Sequence, residues 1–203
     1  MRTFIALAVA LLMGWATVRY LKKIKTRDAK PSLVTWMLFL VGILVSFLTF
    51  QTTPNASIVS NITNTVDLLM ATAVLGVLTR YGGKEQWRFE WVDLGCLVGA
   101  VAILGYWLGH REAFLSAHLT IQAIFIIAYV PMVRKLWRAD RNIEDFVFWS
   151  MACLASALGT VLAITDEKLM PAVYAGRSTT FTALALILML RLERKQRKKG
   201  TQQ

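Results

Sequence analysis

The chain predicts an all-α polytopic membrane protein, with seven transmembrane helices arranged as two parallel three-helix repeats joined by a linker helix. Three observations point there. Hydrophobic residues fill 56% of the 203 positions, and mean hydropathy is +0.52 with only 17% charged residues, a balance outside that of ordinary soluble domains. The apolar residues fall into seven runs of about 20, the length a helix needs to cross a bilayer core. The 23 Lys and Arg residues collect at the ends of alternate runs, as in a membrane topology and unlike a nucleic-acid-binding face.

In chain order, the first span covers Thr3 to Tyr20 and the second Leu33 to Phe50, entered through Pro31-Ser32, where proline suits a helix start. Residues 1 to 18 resemble a signal peptide. The six basic residues from Arg19 to Lys30 resist translocation, so the segment reads as a retained helix. The third span is Ile58 to Thr79, stopped by Tyr81-Gly82-Gly83. The fourth runs from Trp91 to Leu108, the fifth from Phe114 to Val133, the sixth from Phe146 to Ile164 and the seventh from Pro171 to Leu190. This divides the chain into a first repeat (1–80), a linker (81–110), a second repeat (111–190) and a basic tail (191–203).

Nineteen Lys and Arg residues lie in one set of loops, Arg88 among them, against Arg2, Arg111 and Lys168 in the other. That bias predicts an N-terminus outside and a C-terminus in the cytoplasm of a bacterial-type plasma membrane. Trp36, Trp87, Trp91, Trp137 and Trp149 fall at the cytoplasmic helix ends, where indoles anchor in the headgroup layer. Small residues recur four apart at Gly95 and Gly99, continued by Ala102, and at Ala152, Ser156 and Thr160, with Ala155 and Gly159 alongside. Such stripes serve close helix packing, within one chain or in a homo-oligomer.

The stretch Tyr129 to Trp149 has an earlier counterpart in Val18 to Trp36, offset by about 112 residues. In both, an apolar helix runs into a basic hinge, and a Trp opens the next apolar run. This order of features, with Pro131-Met132, the basic turn 134 to 141, Lys30-Pro31-Ser32 and Thr35-Trp36, resembles the SWEET and PQ-loop superfamily of small membrane transporters. The resemblance implies two parallel triplets that alternate access around a central pathway, hinged at Pro131. Family members often carry Gln after that proline and a second proline in the first repeat. Here Met132 follows Pro131, and Val18-Arg19 stand in the first repeat.

Two charges lie well inside predicted spans, Asp67 in the third and Arg177 in the seventh. An intramembrane charge costs several kcal/mol unless paired or wet. Because they occupy the same helix of each repeat, the two are expected to meet, directly or through water, beside a cavity. Asn61, Asn64 and Asp67 share one helical face, Tyr174, Arg177 and Thr180 another, and His118, Gln122, Phe125 and Tyr129 a third. The expected solute-binding set is Asp67, Arg177, Asn64, Gln122 and His118, lining a path for a sugar-like or amino-acid-like solute. The competing expectation is a non-transporting membrane protein whose buried pair locks two helices and whose loops bind partners.

Cys96 and Cys153 sit in apolar runs, implying neither a disulfide framework nor a metal site. No phosphate loop is spelled by Tyr81-Gly82-Gly83-Lys84, and the seventh span holds no lysine for a retinal Schiff base. No acid, base and nucleophile constellation points to an enzyme, and no cofactor is implied. Asn55-Ala56-Ser57 and Asn61-Ile62-Thr63 match glycosylation acceptors, the second within the membrane region.

Overall fold

A computed structural model describes residues 2–52, 56–59, 61–87, 89–110 and 114–200. Asn55, Arg88 and Arg111 lie outside the described residues. Seven helices, α1 (Arg2–Lys25), α2 (Leu33–Gln51), α3 (Ile62–Tyr81), α4 (Trp91–Gly109), α5 (Phe114–Arg138), α6 (Phe146–Thr165) and α7 (Leu169–Gly200), form the described structure with one short 3-10 turn, Lys84–Trp87. All seven are long and apolar enough to cross a membrane. The outward side chains agree: Phe4, Leu11, Leu69, Val98, Val101 and Ile187 are all exposed, an arrangement that is stable where lipid replaces water.

Local chemistry sets the helix starts. Ser32 Oγ accepts from Thr35 N (3.3 Å) at the head of α2, and Asp145 Oδ1 accepts from Val147 N (3.2 Å) at the head of α6. Glu90 and Asp93 form a reciprocal capping box on α4, so Asp93 caps as well as complementing the helix dipole. At the end of α1, Arg27 takes a left-handed conformation (φ 62°), a position glycine usually fills, at a cost of about 1 kcal/mol.

Several helix bounds depart from the sequence expectation. The first helix runs on through its basic residues to Lys25 instead of ending at Tyr20. The third helix starts at Ile62 instead of Ile58. No tail separates from the seventh, because the basic residues after Arg191 continue α7 to Gly200. Most consequentially, α5 continues past the expected end at Val133 to Arg138, with Pro131 inside it. Proline removes one backbone bond and crowds the preceding turn, but Ala128, Tyr129, Met132 and Leu136 around it are all buried. Packing on the neighbouring helices outweighs the local defect.

Within the first triplet, α3 packs against both α1 and α2; within the second, α7 packs against both α5 and α6. The triplets join through α1 with α6, α2 with α5, and a smaller contact of α3 with α7. Exchanging α1, α2 and α3 for α5, α6 and α7 leaves these pairings unchanged. Helix α4 lies on α5. Two glycines permit the closest approaches. A Cβ on Gly42 of α2 would meet the Phe125 ring at 3.0 Å, and one on Gly159 of α6 would collide with the Thr63 hydroxyl of α3. The stripe on α6 therefore packs inside the chain. On α4, by contrast, Gly95 and Ala102 face outward and Cys96, Ala100 and Trp107 turn inward.

The basic residues gather at one end of the bundle. There Lys30 N donates to Ile143 O (2.9 Å), Lys135 Nζ to Lys30 O (2.6 Å) and Lys195 Nζ to Asp140 Oδ1 (3.0 Å), while Arg134 pairs with Glu90. The opposite end is held by Arg2 with Asp166.

Gly159→Ala is expected to lower stability by about 1–3 kcal/mol through overpacking against Thr63. In a Thr63→Ala background most of that loss disappears, as read by thermal unfolding of both variants in the same detergent.

Candidate functional site

Between the triplets lies a cavity of about 40 Å³, bounded by α2, α3, α5, α6 and α7. That volume holds about two or three waters. Asp67, Tyr174 and Arg177 line it toward the less basic end, with Ser156, Ser178 and Thr182 at its flank. Aromatic rings supply most of the remainder: Trp36, Phe39, Phe125, Tyr129, Phe148 and Trp149.

Asp67 and Arg177 do face one cavity, but they form no direct ion pair among the described residues. Tyr174 stands between them. Its hydroxyl donates to Asp67 Oδ2 (2.9 Å), and its ring lies 4.9 Å from the Arg177 guanidinium carbon. Arg177 also covers the Phe125 ring at 3.8 Å and donates from Nε to Gln122 Oε1 (2.8 Å). A guanidinium sandwiched this way keeps its charge within protein rings and an amide, with no outward route to a headgroup required. One turn of α7 places Tyr174 and Arg177 side by side, so the two residues act as one unit.

The other expected lining residues sit elsewhere. Gln122 and His118 lie behind Arg177, outside the cavity wall. His118 Nε2 is 3.1 Å from both the Met170 carbonyl oxygen and the Gln122 amide nitrogen. With Nε2 protonated it donates to Met170; with Nε2 bare it accepts from Gln122. With Nε2 protonated, Gln122 still donates to the His118 carbonyl oxygen (3.4 Å), and a polar chain runs from Arg177 through Gln122 and His118 to the start of α7; with Nε2 bare the chain ends at His118. Asn64 is turned away altogether, its amide 3.2 Å from Ser46 Oγ, and in the better-satisfied amide orientation it also donates to Ile43 O. It ties α3 to α2, where a buried amide satisfies backbone and hydroxyl groups at once. Thr180, expected beside Arg177, is exposed and bonds Gly176 O; Ser178 and Thr182 take the cavity side.

Trp36 and Trp149 correct the reading of the tryptophans as headgroup anchors. Both are almost wholly buried and join an aromatic lid over the cavity, whereas Trp87, Trp91 and Trp137 are exposed as anchors require. Tyr20 stacks on Phe148 (4.1 Å between centroids), Phe148 meets Trp149 edge-on (5.3 Å), and Tyr129 stacks on Phe181 (4.9 Å). Helical periodicity identifies such residues as interior but not as cavity lining, because facing helices decide which rings converge.

Sequence reasoning also missed Glu144 and Asp145, which latch the basic end. Arg19 Nε donates to Asp145 Oδ2 (2.9 Å), and Tyr20 Oη to Glu144 Oε2 (2.6 Å), with Trp149 Nε1 on the same oxygen at 3.3 Å. These bonds fasten α1 to the head of α6 across the triplet boundary, directly over the lid. The adjacent acids in a charged loop were the available signal, obscured by the surrounding arginines. Burial pushes the Glu144 carboxyl up from its usual range, and the hydrogen bonds from Tyr20 and Trp149 offset this only in part.

Comparison with protein-family models, with curated proteins and with solved structures finds no match.

Because the native Glu144 carboxyl binds its proton more tightly than the unfolded one, its contribution favours the fold at low pH. That contribution is lost as pH rises from about 4.5 through the elevated native value. Glu144→Gln, which keeps an oxygen acceptor without the charge, is expected to flatten this part of the curve of unfolding midpoint against pH. A slope unchanged in the variant assigns the pH dependence to other groups.

Proposed function

We propose that the protein is a small secondary transporter or facilitator for a polar solute, with its pathway between the two triplets. The observation that carries this reading is an acid and a base presented side by side to a central cavity, each held by a polar partner instead of neutralising the other directly. A pair whose sole role is to lock helices gains most from direct contact. Here both charges keep one side toward the hollow, where a zwitterionic or hydroxylated guest can engage them.

The exchange symmetry of the helix pairings supports a duplicated three-helix unit, 1–80 and 111–190 with 81–110 as linker. The loop charge bias supports an N-terminus outside and the basic end in the cytoplasm. In the arrangement described, the aromatic lid and the Arg19–Asp145 and Tyr20–Glu144 latch close the basic side. The cavity then admits water-sized guests, and a solute enters when the triplets part. Pro131 serves that motion as a weak point in an otherwise unbroken α5, since the missing backbone bond lowers the cost of bending there.

The test is flux of sugars, polyols and amino acids into proteoliposomes containing the full chain. Asp67→Asn and Arg177→Gln are each expected to lower flux of the accepted solute at least about tenfold, the loss of one charged contact of about 1.5–3 kcal/mol. Because Tyr174 touches both groups, their stability effects are expected to couple by about 0.5–3 kcal/mol whichever role holds. Absence of flux for every solute with folded wild-type protein establishes the helix-locking role instead.

A further inference from the structure

We propose that the central cavity takes a neutral α-amino acid with an apolar side chain, an inference that rests on its reading as the solute pathway. The hydrogen-bonding groups of the wall separate this class from sugars and polyols. A sugar presents a ring of hydroxyls and needs several neutral donors and acceptors facing it. This wall has few to offer. Asn64 is turned to Ser46, and Gln122 is held behind Arg177. Ser156 Oγ donates to Ser178 Oγ (2.9 Å) and Thr182 Oγ1 to the Ser178 carbonyl oxygen (2.8 Å), so both protons are taken within the wall. Trp149 Nε1 donates to Glu144 (3.3 Å), in the latch above the lid.

The two charges are the exception. Asp67 is bonded through Oδ2 to Tyr174 and Arg177 through Nε to Gln122; beyond Tyr174 and Gln122, no described residue hydrogen-bonds either group. The second carboxylate oxygen and the terminal guanidinium nitrogens thus keep unused capacity, on residues that line the cavity. An ammonium and a carboxylate on one carbon match this pair, the ammonium with Asp67 and the carboxylate with Arg177, which can grip both oxygens at once. A guest with a single charge leaves one of the two without a counterpart.

The rest of the wall sets the side chain. Trp36, Phe39, Ile43, Met70, Phe125 and Phe148 surround the polar corner, and an apolar group among them gains from leaving water. No charged residue besides Asp67 and Arg177 belongs to the described wall, so a third charge on the guest has no partner there. Lysine-like and glutamate-like solutes are thereby disfavoured. A volume of about 40 Å³ is too small for the guest while both ends are closed, and binding accompanies the parting of the triplets.

The full chain in uncharged detergent is titrated by calorimetry with four probes. These are L-leucine, its deaminated analogue 4-methylpentanoate, its decarboxylated analogue 3-methylbutylamine, and D-glucose. Leucine is expected to bind at least about tenfold more tightly than either single-charge analogue, the effect of one charge-assisted contact. Asp67→Asn should erase the preference for leucine over 4-methylpentanoate and keep that over 3-methylbutylamine. Arg177→Gln should do the reverse. A helix-locking role weakens binding of all probes together and produces no such exchange. In wild-type protein, absence of leucine binding, or equal affinity for leucine and an analogue, overturns the proposal without recourse to the variants. Uptake into proteoliposomes separates this inference from the transport reading. Binding and uptake of D-glucose without leucine overturn the amino-acid assignment and leave the pathway standing. Leucine binding with the exchange of preference, but no uptake of any solute, supports the assignment and removes transport.

Discussion

A carboxylate and a guanidinium inside an apolar bundle are tolerated only with polar partners at hand, and the centre of this molecule is arranged around that requirement. Tyr174 reaches Asp67 from α7, and Gln122 reaches Arg177 from α5. Through these two bonds and the Phe125 ring under the guanidinium, α3, α5 and α7 acquire a fixed relative rotation. Apolar packing alone leaves neighbouring rotations close in energy, because lipid tails and leucines are alike to each other. The polar contacts select one.

Outside that centre the two ends of the bundle are built differently. Toward the basic end, rings from α1, α2, α5 and α6 close over the cavity, and Glu144 and Asp145 fasten α1 to α6 above them. The two hydrogen bonds and the Tyr20–Phe148 and Trp36–Trp149 ring contacts cross between triplets, while Tyr129 and Trp149 meet within one. Toward the other end, the closure is the chain of Arg177, Gln122 and His118 against Met170, which joins α5 to α7 within one triplet. That end also has contacts between the triplets, Arg2 with Asp166 and Tyr174 with Asp67, so a separation of the triplets breaks bonds at both ends and spares only the Arg177–Gln122 link.

Much of this was legible in the sequence. Seven apolar runs gave seven helices because length and hydropathy are local properties, and one basic end followed from counting Lys and Arg in alternate loops. Asp67 and Arg177 stood out for the same reason: a charge in an apolar run needs no structural context to be conspicuous. What failed depended on tertiary facts. Asn64 lay on the same helical face as Asp67, but Ser46 of α2 claimed it. The fifth span was expected to stop at Val133, two residues past Pro131, where the basic residues begin, but α5 continues to Arg138 with Met132 and Leu136 buried against its neighbours. Trp36 and Trp149 lay where anchors lie, and only the approach of α2 to α5 and of α1 to α6 turned them inward. The Glu144 latch depends on Tyr20, 124 positions away, a separation no local pattern reports.

The length of α7 has a mechanical corollary. Its 32 residues extend about 48 Å at 1.5 Å per residue, some 18 Å beyond a hydrocarbon core of about 30 Å. Arg177 lies near the start of this rod, and Lys195 touches Asp140 near its far end. A tilt of about 5° pivoting at Arg177 would sweep the terminal turns sideways by about 3 Å, comparable to the reach of a hydrogen bond. Sub-ångström rearrangement around the buried guanidinium is thus amplified at the water-facing tip, which makes that tip the natural place to attach a reporter of what happens in the interior.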